Sequence, residues 1–292
     1  MFDIVSAVII NRNRATDLDE CLHSIINQSY KEIETIVVDN DSTDESIWNI
    51  KLPCNMGVTL PTNIGVSSSI GRYILLIDND AILDKKFVEN AVYIMNRHHD
   101  IGVVAGRIYK SGTIEDLEYE CYGSDLSPLI PQHMGTFYAC TCLIRKACWD
   151  QVGGYNFRYF AYYQEHDFSA RILKRGWKIW YEPRCIAWHK FTPVQRDSSV
   201  MLYFLTRNHY LFVWEHLPFF LAVFQSVKWV VWSLWTGRHH PYTVLRAYLG
   251  VVELTERLQN ETESLRERVE KLERDFNDHG HYVETTTICH NG

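Results

Sequence analysis

The chain has 292 residues, enough to bury a large core, and its 46% apolar and 22% charged fractions exclude a disordered chain. A net charge of −7 without any Lys/Arg block argues against a nucleic-acid partner but leaves a compact anion, such as a nucleotide, open. The eight cysteines have no paired C-x-x-C spacing, so no zinc module is expected; with an N-terminus that runs straight into a strand, they read as reduced thiols of a cytoplasmic protein.

Along the first hundred residues, strand and helix patterns alternate. Strands are expected at 4–10, 33–39, 73–77 and 101–105, and helices at 17–27, from Asp44, at 62–70 and at 86–96. This is the grammar of a mostly parallel α/β sheet. Residues 107–145 are less regular, with short strand-like pieces near Tyr109 and Tyr119 and at 137–144, so antiparallel additions and a mixed sheet are expected. A helix at 164–175 and two short strands, 177–181 and 185–189 around Pro183, close the compact domain, taken as residues 1–195.

The next region, 196–250, is helical and rich in aromatics. Residues 217–235 are almost wholly apolar, but Lys228 near the middle and the short length favour a helix lying on a membrane over one spanning it. Leu254, Leu258, Leu265, Val269 and Leu272 then alternate steps of four and three closely enough to suggest a short coiled-coil helix over 251–278, an expected homo-oligomer contact. The tail, 279–292, is expected to be disordered.

Chemistry concentrates at strand ends. Ile74-Leu75-Leu76-Ile77 runs into Asp78-Asn79-Asp80, two carboxylates that either hold a divalent cation or cap a turn. Val37-Val38 runs into Asp39-Asn40-Asp41-Ser42-Thr43-Asp44, where Asp39 suits a base or ribose and Asp44 suits capping the following helix. The first strand ends in Asn11-Arg12-Asn13-Arg14, whose arginines suit phosphate. Asn63-Ile64-Gly65 places an amide beside a glycine that would let a ligand approach. Neither G-x-G-x-x-G nor G-x-x-x-x-G-K-[ST] occurs, which disfavours a dehydrogenase or a P-loop ATPase.

Taken in order, Ala7-Val8-Ile9-Ile10-Asn11-Arg12-Asn13-Arg14, Ile36-Val37-Val38-Asp39, Asn63-Ile64-Gly65, Asp78-Asn79-Asp80, Gly153-Gly154-Tyr155, Gln164-Glu165-His166-Asp167 and Trp188-His189 resemble the inverting glycosyltransferase family 2. The resemblance covers residues 4 to about 190. It implies the GT-A nucleotide-sugar fold and a UDP- or dTDP-sugar donor contacted by Ile10, Asn11, Arg14, Asp39, Asn63 and Asp78. It further implies Mn²⁺ or Mg²⁺ held by Asp80, Asp78 and His189. The family's general base lies in Glu-Asp-x-Asp; here the window reads Gln164-Glu165-His166-Asp167, so Glu165 takes the usual place of the base and Asp167 competes with it.

Arg207-Asn208 and the aromatic helices after it are similar to members acting on lipid-linked glycans, rhamnosyltransferase-like proteins among them. The Gln-x-x-Arg-Trp sequence of processive members is absent. The expectation is therefore an enzyme on the cytoplasmic face of a membrane that moves one sugar to a hydroxyl of a glycan or lipid-linked acceptor. The alternative is a non-catalytic membrane scaffold that oligomerises through 251–278.

Overall fold

A computed structural model of the chain describes residues 3–110, 118–120, 130–190, 198–238 and 240–250. They divide into two compact units: residues up to Phe157 together with Phe168 through the following strand, and Arg158–Asp167 together with the C-terminal helices. The expected coiled-coil helix and tail fall outside the described residues.

The first unit alternates as its sequence predicts: β1 (Val5–Asn11), α1 (Ala15–Ile26), β2 (Ile33–Asn40), β3 (Ile50–Leu52), α2 (Thr59–Ser67), β4 (Tyr73–Asp78), β5 (Ala81–Leu83), α3 (Phe87–Arg97) and β6 (Ile101–Lys110). The short strands β7 (Glu118–Glu120) and β8 (Gln132–Met134) follow, then β9 (Thr141–Arg145), α4 (Lys146–Val152), α5 (Gln164–Lys174) and β10 (Lys178–His189). One sheet runs β3-β2-β1-β4-β9-β6-β10-β5, with β7 beside β6 and β8 beside β10. Strands β1 to β4 pair in parallel, whereas β9 is antiparallel to both β4 and β6. The sheet is therefore mixed and mostly parallel among its long strands, as expected.

Strands covered on both faces read as continuous apolar runs. Tyr73, Ile74 and Leu75 are fully buried, and side chains from alternate positions feed two clusters, one on each face. Helix α2 lies close against this sheet because Gly65 has no side chain. A Cβ there would come within 2.5 Å of Val8 Cγ1 and 3.1 Å of Val38 Cγ2. Gly65 therefore serves packing, not the approach of a ligand.

Three further expectations are corrected. No helix starts at Asp44, because the segment after β2 is irregular until β3. Asp44 instead accepts from the backbone N–H of Ala15 at 3.0 Å, so it caps the first turn of α1 from another loop. The two strands expected around Pro183 are one strand, β10, whose pairing with β6 slips between Glu182 and Ile186. A bulge accommodates a proline that cannot donate to the ladder. Finally, Cys21, Cys140, Cys142, Cys148 and Cys185 are buried free thiols, but the half-buried loop residue Cys54 is disulfide-bonded.

In the second unit, α6 (Ser198–His216) and α7 (Phe219–Thr236) pack together, and residues 241–250 are also helical. The pattern of α7 is inverted: Ala222, Ser226 and Ser233 are buried, while Phe219, Phe220, Phe224, Val227, Val231, Leu234 and Trp235 are exposed.

Gly65→Ala is expected to destabilise the protein by about 1–3 kcal/mol through overpacking, read as a lower urea midpoint at unchanged m. Adding Val8→Ala should recover part of that loss. An unchanged midpoint for the single variant would show that α2 can move off the sheet.

Candidate active site

Register builds the site. In the parallel pairing of β1 with its neighbours, Asn11 stands beside Asp39 and Ile10 beside Asp78, so three strand ends present their residues along one edge. Strand β10 is parallel to β6 and ends at the same edge; its antiparallel pairing with β5 puts His189 opposite Ala81, next to Asp80. The C-terminal edge of a parallel sheet is where open α/β folds bind ligands.

At this edge His189 Nε2 lies 3.1 Å from Asp80 Oδ1 and 3.7 Å from Asp78 Oδ2. The Tyr138 hydroxyl lies 3.3 Å from His189 Nδ1, fixing the ring from its other side. Asp80 is 1% exposed and its second oxygen accepts from Arg14 Nη1 at 3.0 Å, while the Asp78 side chain is 47% exposed. The two acids therefore differ: Asp80 is buried in an ion-paired network and Asp78 faces outward. Two carboxylates and an imidazole make a donor set suited to Mn²⁺ or Mg²⁺. Cys140, not Asp80, joins Asp78 and His189 in the group whose ligand atoms all lie within 4.8 Å of one another, but burial, with the charges of Asp78 and Asp80, pushes its thiol well above the usual range, and a protonated thiol is a poor partner for a hard cation.

Asp39 is fully buried. Its Oδ2 accepts from the Ser42 N–H at 3.1 Å and lies 3.7 Å from Lys51 Nζ, while its Oδ1 is buried with no hydrogen-bond partner among the described residues. An orphaned buried acceptor is costly, and a donor on a bound ligand would satisfy it. Asn79 Nδ2 donates to Asn11 Oδ1 at 2.7 Å, tying the β1 end to the β4 end. Arg14 Nη1 also reaches Asn79 Oδ1 at 3.2 Å.

Asn63 stands apart from this group. Its Nδ2 donates to the Tyr155 carbonyl at 2.8 Å and its Oδ1 accepts from the Tyr155 N–H at 2.9 Å. Gly154, at φ +69°, leaves room for that amide, since a Cβ there would sit 2.8 Å from Asn63 Oδ1. Asn63 and the Gly153-Gly154-Tyr155 turn thus explain one another as a structural latch.

Glu165 and Asp167 lie in the first turn of α5 and belong to the second unit, where each is described with its own neighbours. Both are buried. His216 Nε2 lies 2.9 Å from Asp167 Oδ1, so Asp167 is held by an imidazole from α6. Glu165 Oε1 lies 3.8 Å from His166 Nδ1. No motif marks His216 or His209, whose Nδ1 lies 2.9 Å from the Tyr163 hydroxyl and whose ring stacks on Trp229 at 4.0 Å. Burial, with Lys228 and His166 nearby, lowers His209 from 6.5 to about 4, and burial lowers His166 too, so both are neutral at pH 7.

The profile of glycosyl transferase family 2 matches residues 6–163, more than half of the chain. The chain belongs to this family. Glycosyltransferase GlyG of Streptococcus pneumoniae is 30% identical over 122 residues, 37% of this chain and 40% of that protein. An uncharacterized glycosyltransferase of Haemophilus influenzae is 30% identical over 109 residues, 33% of this chain and 44% of the relative. The matches span about two fifths of these relatives' own length. Among solved structures, S. aureus TarS 1-349 in complex with UDP-GlcNAc superposes with a TM-score of 0.60 at 15% identity, over 84% of this chain and 79% of that one. A mannosyltransferase from Pyrobaculum calidifontis in complex with GDP-Man and Mn²⁺ gives 0.55 at 13% identity, over 88% and 76%. At these identities the likeness is one of fold, the GT-A fold of this family.

The depressed pKa of His209 sets an acid limit. The unfolded chain takes up this proton near pH 6.5 and the folded one only near 4, so its contribution to stability is whole above 6.5 and declines as the pH falls toward 4. Between pH 7 and 4.5 the urea midpoint of wild-type protein should fall further than that of His209→Gln; equal falls would assign the acid sensitivity to other groups.

Proposed function

We propose that this protein is a metal-dependent, inverting glycosyltransferase that moves one sugar from a UDP- or dTDP-linked donor to a hydroxyl of a glycan or lipid-linked acceptor. The observation that carries the reading is the convergence, by strand register, of Asn11, Asp39, Asp78, Asp80 and His189 on one sheet edge. Family relatives are named glycosyltransferases, and fold neighbours were solved with UDP-GlcNAc and with GDP-Man and Mn²⁺, which supports a nucleotide-sugar donor and a divalent cation. The missing Gln-x-x-Arg-Trp sequence and the rhamnosyltransferase-like Arg207-Asn208 pair favour transfer of a single sugar.

In this reading Asp39 accepts from the base with its otherwise unsatisfied Oδ1, and Asn11 and the Ile10 backbone line the nucleoside. Arg14 sits close enough to the acids to meet the phosphates. A divalent cation, when held by Asp78, Asp80 and His189, supplies neutralisation of the charge that grows on the departing diphosphate. Glu165 takes the proton from the acceptor hydroxyl as that oxygen bonds to the anomeric carbon and the bond to the diphosphate breaks. One in-line displacement inverts the anomeric centre. Glu165 is preferred to Asp167 because it takes the usual place of the family's base in the window Gln164-Glu165-His166-Asp167.

Purified protein incubated with a panel of nucleotide sugars and Mn²⁺ or Mg²⁺ should release nucleoside diphosphate from at least one donor. Removing one partner of the buried Asp80 network costs roughly 3–5 kcal/mol, so Asp80→Asn, which keeps a hydrogen bond to Arg14, is the cleaner variant. It should lose cation-dependent UDP or dTDP binding at least tenfold while remaining folded. Glu165→Gln should retain that binding and lose transfer at least a hundredfold, in keeping with general-base removal. Full turnover by the Glu165 variant would move the base to Asp167.

The reading extends to a lipid surface. Helix α7 is 18 residues long with a mean hydropathy of 1.2, and 11% of it is buried. It turns small and hydroxyl side chains inward and large apolar ones outward, with Trp214 exposed before it and Trp232 and Trp235 near its end. That favours lying in the headgroup layer, Lys228 and Arg238 meeting anionic lipid. Wild-type protein should float with phosphatidylglycerol vesicles, and Phe220→Asp with Phe224→Asp should lower the bound fraction at least tenfold without changing UDP or dTDP binding. Wild-type protein remaining in the soluble fraction would exclude this surface.

A further inference from the structure

Four consecutive polar side chains, Thr206, Arg207, Asn208 and His209, are buried in the middle of α6. Burying such groups is unfavourable unless they find partners, and the partners of three of them lie in one short segment. Arg207 Nη1 donates to the Arg158 carbonyl at 3.0 Å and to Asn208 Oδ1 at 2.6 Å. Asn208 Nδ2 donates to the carbonyls of Ala161 at 2.6 Å and Tyr162 at 2.9 Å. The third, His209, meets the Tyr163 hydroxyl. Near the end of α6, Glu215 accepts from the Tyr159 hydroxyl at 2.9 Å and pairs with Arg158, and His216 holds Asp167.

The gripped segment is strained. Tyr162 and Tyr163 both have left-handed backbone, at φ 64° and 66°. For bulky residues each such conformation costs on the order of 1–3 kcal/mol and persists only where surrounding structure enforces it. Tyr163 is also where α5 starts, because its carbonyl accepts from the Asp167 N–H at 3.0 Å. Were the two tyrosines to relax to negative φ, the chain would enter α5 in another direction and the first-turn acid Glu165 would turn with it.

We propose that Arg207 and Asn208 are positioning residues: Asn208 pins the two carbonyls of the strained turn, Arg207 fixes the Asn208 amide and the Arg158 carbonyl, and together they set the orientation of Glu165. This rests on the reading of Glu165 as the base. The pair thereby gains a physical role that the sequence, read alone, left as a likeness to other proteins.

The experiment compares Asn208→Ala, Asn208→Asp in case the first fails to fold, and Asn208→Ala combined with Tyr162→Gly. Glycine adopts positive φ without strain, so it should need the brace less. Backbone hydrogen exchange over 158–168 should accelerate at least tenfold in both single variants. Their kcat should fall at least tenfold, with the dissociation constant for UDP or dTDP in Mn²⁺ within twofold of wild type, and Tyr162→Gly should restore at least threefold of the lost kcat. A loosened 158–168 segment with unchanged kcat would overturn the proposal, as would weakening of nucleotide binding in step with kcat or no recovery with glycine. Full turnover by Glu165→Gln would overturn Glu165 as base, whereas unchanged exchange over 158–168 in the Asn208 variants would overturn the brace itself, so the two failures are told apart.

Discussion

The constraint on which the donor edge depends is the register between β1 and its two parallel neighbours. Because side chains alternate across a strand, a slip of one residue would turn the apolar set to the wrong face and displace every strand-end residue together. Val5, Ala7 and Ile9 lie in one cluster and Val8 in the other, so both faces oppose such a slip. Burial fixes the register, and the register places Asn11 beside Asp39 and Ile10 beside Asp78. The core thus specifies the site without touching a ligand.

The electrostatics of that edge follow. Asp80 is buried, and isolated carboxylates do not stay ionised in apolar surroundings. Arg14 and His189 on opposite oxygens make its burial tolerable. Asp78, two residues earlier, is half exposed and lies farther from the same imidazole, 3.7 Å from His189 Nε2. The edge therefore carries one buried acid whose charge is shared with a guanidinium and one that is half exposed beside the His189 ring.

The donor half was legible in the sequence because its signals are local. Apolar runs of β1, β2 and β4 that end abruptly in polar residues locate both strands and edge, and Asp39, Asp78 and Asp80 stand at or just past those endings, whereas His189, at the end of β10, came into view only through the family resemblance. Asp44 misled because an acid after a strand caps helices, and nothing in the sequence says that the helix it caps is α1 and not its own successor. Pro183 misled because a bulge and a break have the same composition. The packing of Gly65 on Val8 and Val38, and the bonds of Asn63 to Tyr155, join residues far apart in sequence and leave no local pattern.

The acceptor half was hardly legible, for a different physical reason. Left-handed tyrosines have no sequence signature, since bulky residues adopt that backbone only when tertiary contacts impose it. Thr206, Arg207, Asn208 and His209 fall within an aromatic-rich helical region of the sequence, yet Arg207, Asn208 and His209 are buried against the turn that launches α5. The family profile ends at residue 163, the second strained tyrosine, and α5 with all of the α6 contacts to the turn comes after it. The sheet-edge cluster is thus written in strand endings and family pattern, whereas the entry into α5 is held by side-chain-to-carbonyl bonds that only a folded chain reveals.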